Sequence, residues 1–182
     1  MGFFSFGIQR ATAFSGLGAG TTDFPYRITT CAQLQGINEN LNSNYVLLND
    51  INCNGVNFTP IGMRESGSVS DFYGTLDGYN HTISNLTISI SGPYNYVGLF
   101  GSISSGGIVK NLKITMASIS STNASSAYIG GLAGSLTDTT VSHVSFSGNV
   151  SGSMSVGGFA GNGSRVTIES SSVESGSIIT ET

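Results

Sequence analysis

The sequence predicts an all-β protein built as a solenoid, with one short capping helix near the N-terminus. Two short motifs that recur together, strand-like alternation within one of them, and an unusual composition support this prediction. Gly accounts for 26 of 182 residues, about twice its usual share of about 7 %, and only 9 % of the residues are charged. Apolar residues still reach 38 %, which argues against a disordered chain.

The first motif is a run with three apolar positions at fixed spacing. Its copies are Ile83-x-x-Leu86-x-Ile88, Val109-x-x-Leu112-x-Ile114, Val141-x-x-Val144-x-Phe146 and a degraded Ile168-x-x-Ser171-x-Val173. Successive copies lie 26, 32 and 27 residues apart. A unit of that length cannot bury its own apolar face, so we expect each unit to stack on its neighbours with the alternating side chains inward.

The second motif is a glycine-flanked apolar pair that keeps step with the first. It occurs as Gly98-Leu99-Phe100-Gly101, Gly130-Gly131-Leu132-Ala133-Gly134 and Gly157-Gly158-Phe159-Ala160-Gly161. We expect Gly at the corners to allow a positive φ where a coil turns and to let adjacent coils approach closely. The variable tracts 64–70 and 118–127 are predicted to be surface loops.

A short helix is predicted before the repeats begin. Thr30-Cys31-Ala32-Gln33 has the form of a capping box, and Leu34, Ile37 and Leu41 follow at helical spacing. A helix of about three turns is therefore expected, lying across the open end of the first coil.

Cys31 and Cys53 are the only cysteines of the chain. An even pair in a Lys-poor, Ser-rich sequence favours an oxidising compartment, and the predicted disulfide would stabilise the fold by roughly 3 kcal/mol. Two buried free thiols are the alternative. Neither His81 nor His143 lies at a zinc-finger spacing from the cysteines, so no zinc site is predicted.

The order of segments resembles a known family. Phe24-Pro25-Tyr26-Arg27-Ile28 and Phe72-Tyr73-Gly74-Thr75-Leu76-Asp77-Gly78 are similar to the leader of GLUG-repeat proteins, and Gly98 to Gly101 is similar to the motif that names them. The resemblance extends from about Gly18 to Val173. It implies a right-handed parallel β-helix in a secreted or cell-surface protein, and it says little about activity.

Composition and charge exclude two classes of partner. Six basic residues are scattered along the chain and the net charge is −4, which disfavours binding to nucleic acid. No run of 18 apolar residues exists, so no membrane-spanning helix is predicted.

Three aspartates are the best candidates for chemistry. Asp50, Asp71 and Asp77 fall in successive early coils, with His81 nearby as a candidate base; such carboxylates would suit glycoside cleavage or a calcium ion. Local turn formation explains them more simply, because Asp favours turns. We therefore expect no enzyme, no catalytic residue, no metal and no cofactor.

Six Asn-x-Ser/Thr sequons are present, about as expected from the abundance of Asn, Ser and Thr. Of these, the site in a predicted loop, Asn123, is the one that we expect to be glycosylated.

The ends of the solenoid suggest an assembly. Residues 1–20 form an apolar, Gly-rich segment outside the repeats, and residues 21–182 form the predicted solenoid. An apolar strip in the first segment and an uncharged apolar pair near the other end are predicted to be inter-subunit contacts: Phe3, Phe4, Phe6 and Ile8, with Ile178 and Ile179. The alternative is that the strip folds back along its own solenoid.

The predicted function is therefore an extracellular structural subunit or surface scaffold, a homo-polymer that grows head to tail by strand addition. The first alternative is an adhesin module that binds glycans or another cell surface. That alternative needs Tyr73, Tyr79, Tyr94 and Tyr96 to share one face. A carbohydrate-active enzyme is the third.

Overall fold

The computed structural model is a β-solenoid of about four turns, which confirms the predicted fold class. It describes residues 14–63, 70–92, 94–122 and 127–180. The predicted contacts at Phe3, Phe4, Phe6 and Ile8 and the predicted glycosylation site at Asn123 lie outside these ranges.

Seventeen strands and one α-helix are found among the described residues. The helix α1 is Cys31–Gln35, continued by a 3₁₀-helix at Gly36–Glu39. The strands are β1 (Tyr26–Ile28), β2 (Asn44–Leu47), β3 (Ile51–Asn52), β4 (Thr75–Asp77), β5 (Thr82–Ser84), β6 (Thr87–Ile90), β7 (Tyr96–Val97), β8 (Phe100–Ile103), β9 (Ile108–Ser121), β10 (Tyr128–Gly130), β11 (Ala133–Thr137), β12 (Thr140–Gly152), β13 (Ser155–Gly157), β14 (Ala160–Ser164), β15 (Thr167–Glu169), β16 (Ser172–Val173) and β17 (Ile178–Thr180).

The strands stack as parallel ladders, each coil pairing with the coil before and after it. One large sheet runs β1-β2-β4-β9-β12-β15, and β5 and β6 also pair with the long strand β9. Two smaller sheets, β7-β10-β13 and β8-β11-β14, complete the circuit. The second motif is therefore in register in all three copies, since Ala133 pairs with both Phe100 and Ala160.

Inward-facing apolar residues of successive coils stack into a continuous core. One ladder runs Leu76, Val109, Val141 and Ile168, and the first three of these side chains are fully buried. Parallel stacking places equivalent residues of neighbouring coils about 4.8 Å apart, so each side chain packs on its own counterpart.

The register corrects one prediction. The motif spacing predicts that Ile83 pairs with Val109. In the structure Ile83 pairs with Ile114, and Leu76 pairs with Val109. The later three copies of the motif stack as expected. The predicted loop at 118–127 is also wrong in its first part, because β9 extends to Ser121.

The helix begins as predicted and ends earlier. The Thr30 hydroxyl accepts a hydrogen bond from the Gln33 amide at 3.2 Å, and the Gln33 side chain accepts one from the Thr29 amide at 2.8 Å. The chain tightens into the 3₁₀-helix at Gly36, so α1 has five residues and Leu41 lies in a turn beyond both helices.

Three contacts fasten the helical segment over the next coil. Cys31 and Cys53 form the predicted disulfide, with their Cα atoms 5.3 Å apart. The Gln35 side chain exchanges two hydrogen bonds with the Thr59 backbone. The side-chain oxygen Oδ1 of Asn38 accepts a hydrogen bond from the Gly62 backbone amide at 2.6 Å. The helix therefore covers the first end of the solenoid.

Residues before β1 close the same end further. Phe14 is buried against Tyr26 and Tyr45, with ring centroids 4.7 and 5.3 Å away. The Leu17 carbonyl accepts a hydrogen bond from the Arg27 amide at 2.7 Å, which occupies part of the outer edge of β1. Among the residues described, no helix has the length and apolar character needed to cross a bilayer.

Candidate functional sites

Three apolar side chains of the last described coil are half exposed. Ile168 continues the ladder of Val141 and is 49 % exposed, Val173 continues that of Phe146 and is 43 % exposed, and Ile178 continues that of Val150 at 47 %. The three preceding residues are fully buried. We call Ile168, Val173 and Ile178 the acceptor end. It presents edge strands and apolar side chains together, the combination to which another strand can add.

The two predicted contact residues at this end point to different faces. Ile178 lies in register with buried Val150 and belongs to the inward ladder. Ile179 pairs with Ser151, on the outer face of the same sheet, and is about as exposed. Only Ile178 therefore continues the core.

One ion pair ties the last coil to the coil before it. Arg165 and Asp138 form a two-point interaction, with the Arg165 Nη2 atom 2.7 Å from Asp138 Oδ2. Hydrogen bonding to this guanidinium lowers the pKa of Asp138. Both groups are well exposed to solvent, so the pair fixes the corner and adds little to stability.

A groove lies where the sheet β7-β10-β13 meets the sheet β8-β11-β14. Glycines of the second motif permit this meeting, because a Cβ atom on Gly134 would lie 2.6 Å from the Tyr96 Cα atom. Gly161 meets the backbone of Tyr128 in the same way one coil further on. The motif glycines are thus required for close approach and none of those in the three copies has a positive φ, whereas Gly106 and Gly148, outside the motif, do have one.

We call this cavity of about 440 Å³ the tyrosine groove. Its floor includes three nearly buried serines, Ser102, Ser104 and Ser135. Its wall includes Tyr96, whose ring stacks on Tyr128 of the next coil with centroids 5.6 Å apart and planes 19° from parallel. The fold therefore places one ring of an aromatic pair in a groove that is also lined by serine hydroxyls.

A carboxylate lies at one end of this groove. Asp71 Oδ2 accepts a hydrogen bond from the Ser104 hydroxyl at 2.8 Å and a longer one, 3.4 Å, from the Tyr73 hydroxyl. These contacts orient the carboxylate. Both are made by Oδ2, and neither involves Oδ1.

The predicted tyrosine cluster is brought together in part. Tyr73 and Tyr94 line two further grooves, of about 490 and 600 Å³, that adjoin the one at Tyr96 through shared residues. Tyr79 lies elsewhere, at a corner beside Asp77. Tyr128 was missed, because its partner lies a full coil away in sequence.

The three candidate aspartates do not form one site. Asp50 contacts His81, with Asp50 Oδ1 at 3.3 Å from Nδ1, and also accepts from the Thr82 amide. Asp77 pairs with Lys110 at 3.4 Å, and Asp71 lies in the tyrosine groove. The part of the chain that the structure describes holds no group of three His, Cys, Asp or Glu side chains placed for a metal ion.

The parallel ladders define this chain as a β-solenoid. Within it, residues 125–151 match the family model described as the GLUG motif, which confirms the resemblance to GLUG-repeat proteins over that repeat.

Two curated relatives align with about three-fifths of the chain. One is Halomucin of Haloquadratum walsbyi, 37 % identical over 112 residues, which are 62 % of this chain and 1 % of that protein. The other, from Evansella cellulosilytica, is named as a candidate Gly-rich membrane protein and is 32 % identical over 121 residues, 62 % of this chain and 13 % of the relative. The chain thus spans a small part of either relative.

A solved structure from Bacteroides ovatus, described as a candidate immunoglobulin A1 protease, superposes with a TM-score of 0.59 at 21 % identity. The match covers 80 % of this chain and 55 % of that one. At this identity the likeness shows the fold alone.

Proposed function

We propose that this chain is a non-catalytic structural subunit of a secreted or cell-surface assembly, and that copies join head to tail. Residues 3–8 of one copy add to the acceptor end of the next. The observation that carries the proposal is the acceptor end, where Ile168, Val173 and Ile178 continue three buried ladders of the core and are themselves about half exposed.

The two ends of the solenoid differ in a way that suits head-to-tail growth. The first coil is contacted by the helical segment and by residues 14–20, whereas the last described coil presents edge strands with half-exposed apolar side chains. An assembly that pairs unlike ends is heterologous and grows into a filament when its rotation does not close.

The apolar strip is the part of the chain best suited to the acceptor end. Phe3, Phe4, Phe6 and Ile8 belong to no repeat, and alternation along a strand would place Phe4, Phe6 and Ile8 on one face. Charge favours the same pairing: Arg10 is the one charged residue among the first 13, while residues 166–180 carry Glu169, Glu174 and no basic residue.

Location outside the cell is supported by three observations. The Cys31–Cys53 disulfide fits an oxidising compartment. A neutral polar surface with few charges fits as well, and so do the names of the two relatives, Halomucin and a candidate Gly-rich membrane protein.

The separation of the three aspartates favours a structural role over glycoside cleavage.

The experiment is negative-stain electron microscopy of the 182-residue chain at several concentrations, beside a variant lacking residues 1–8. A matched control replaces Met116, an exposed apolar residue of β9 that lies between the two ends, by serine. We expect filaments from the full chain and from the control, and single particles from the truncated chain.

Single particles in all three samples would contradict the proposal. Filaments that survive the truncation would contradict the assigned role of the strip.

A further inference from the structure

The tyrosine groove lies on the side wall of the solenoid, away from the acceptor end. We propose that it binds a neutral oligosaccharide, a ligand class that neither the family match nor the relatives' names assign. The inference does not rest on head-to-tail assembly, because no residue of the groove belongs to the acceptor end.

The size and floor of the groove suit a polyhydroxyl ligand. Its volume of about 440 Å³ falls within the roughly 300–1,000 Å³ typical of ligand sites. The Ser102 hydroxyl can donate and accept, Ser104 can accept while it donates to Asp71, and Ser135 can still donate while it accepts from the Asn162 side chain. The three hydroxyls therefore complement a ligand whose own polar groups are hydroxyls.

Asp71 supplies the strongest polar contact. With Oδ2 held by Ser104 and Tyr73, the carboxylate is fixed before a ligand arrives, and Oδ1 is positioned to accept from a sugar hydroxyl. Hydrogen bonds to an ionised acceptor are about twice as strong as neutral ones.

The tyrosine pair supplies the apolar contact. Stacking on Tyr128 limits the motion of the Tyr96 ring, so little side-chain entropy remains to be lost on binding. Ser155 takes the place of a tyrosine in the following coil, so the ladder has a tyrosine on one side of Tyr128 and a small residue on the other.

The adjoining grooves favour a chain over a single sugar. Asp71 also lines the groove that contains Tyr73, and Asn38 and Glu39 connect that groove to the one that contains Tyr94. Tyrosines thus line three neighbouring grooves, an arrangement that fits several units of a linear polymer.

The charges of the described residues favour a neutral ligand. Among the described residues that line the three grooves there is no Lys, Arg or His, whereas Glu39 and Asp71 are acidic. A metal ion would lack ligands, since no group of three His, Cys, Asp or Glu lies there among the residues described.

The test is isothermal titration calorimetry of the 182-residue chain with three neutral hexasaccharides, cellohexaose, mannohexaose and chitohexaose, and with an anionic heparin hexasaccharide. Asp71→Asn and Tyr96→Ser are the groove variants. Asp50→Asn and Tyr79→Ser are the matched controls, exposed residues of the same types outside the grooves. Thermal melting of each variant verifies that it folds.

We expect at least one neutral hexasaccharide to bind, with affinity reduced about tenfold or more in each groove variant and changed less than about twofold in the controls. Three outcomes would overturn the proposal: no neutral hexasaccharide binds below about 1 mM, the heparin hexasaccharide binds more tightly, or the controls lose affinity as much as the groove variants.

Discussion

Ile168 lies directly over Val141, yet Val141 is fully buried and Ile168 is half exposed. The two residues occupy equivalent positions in successive coils, so their difference in burial follows the position of each coil within the described solenoid. The cost of truncating a core side chain should therefore depend on which coil carries it.

The ladder of Ile119 and Ile178, joined through Val150, offers a matched pair. We expect Ile119→Ala to lower the free energy of unfolding by about 2–5 kcal/mol, since it leaves a cavity in a closed core. Ile178→Ala should cost about 1 kcal/mol, because nearly half of this side chain is already in water. Urea denaturation in the variant lacking residues 1–8 measures both, and equal losses would show that the last coil is covered.

Substitution of Gly134, which lies beside the tyrosine groove, is expected to destabilise the fold. Gly134→Ala should destabilise the fold by about 3 kcal/mol, because its new methyl group meets the backbone of Tyr96 and Val97. Gly163 is the control: a Cβ atom there lies 3.5 Å from Val166 Cγ2, an ordinary contact. Chemical denaturation compares the two, and an unchanged midpoint for Gly134→Ala would contradict the close packing.

The disulfide should stabilise the capped end. We expect the Cys31→Ala/Cys53→Ala double variant to lose about 3 kcal/mol, the entropic cost of releasing a loop of this length in the unfolded chain. Reducing the wild-type protein with a phosphine should give a similar loss. A double variant as stable as the oxidised protein would show that the bond adds nothing to the cap.

The buried hydroxyl of Tyr45 is expected to make the stability of the fold depend on pH in the alkaline range. Burial raises its pKa in the folded protein well above the unfolded value of 10.0, and its hydroxyl donates to the Asn40 carbonyl at 2.7 Å. Because the folded pKa is the higher one, this contribution is complete below pH 10.0 and is lost as the pH rises beyond it.

Tyr45→Phe should therefore be about 1 kcal/mol less stable than the wild type at pH 7, through loss of the hydrogen bond. Its stability should then fall less steeply between pH 10 and 11. Urea titrations at each pH measure this, and parallel pH profiles for the two proteins would contradict the role of Tyr45.

Much of the fold could be predicted from the sequence because stacking requires repetition. Val109, Val141 and Ile168 recur with the same pattern of neighbours, and they do stack. The misalignment of Ile83 has a physical cause. One coil turns two successive corners, each with one residue of positive φ, Asn111 and Met116, so the same apolar spacing occurs twice per coil.

The tyrosine groove could be predicted only in part. Tyr94 and Tyr96 attract notice because they are close in sequence, but the pairing of Tyr96 with Tyr128 depends on a register that spans a whole coil. The fastening of Asp71 by Ser104 likewise joins two coils. Contacts between coils depend on the number of residues in each coil. Because the loops vary in length, that number cannot be read directly from the sequence.

The most direct test of head-to-tail assembly is a mixing experiment followed by light scattering on a sizing column. One variant lacks residues 1–8 and keeps the acceptor end; the other keeps the strip and carries Ile168→Lys and Ile178→Lys. The account predicts that each variant alone is a monomer and that an equimolar mixture forms a dimer. A mixture that stays monomeric, or either variant polymerising alone, would contradict it.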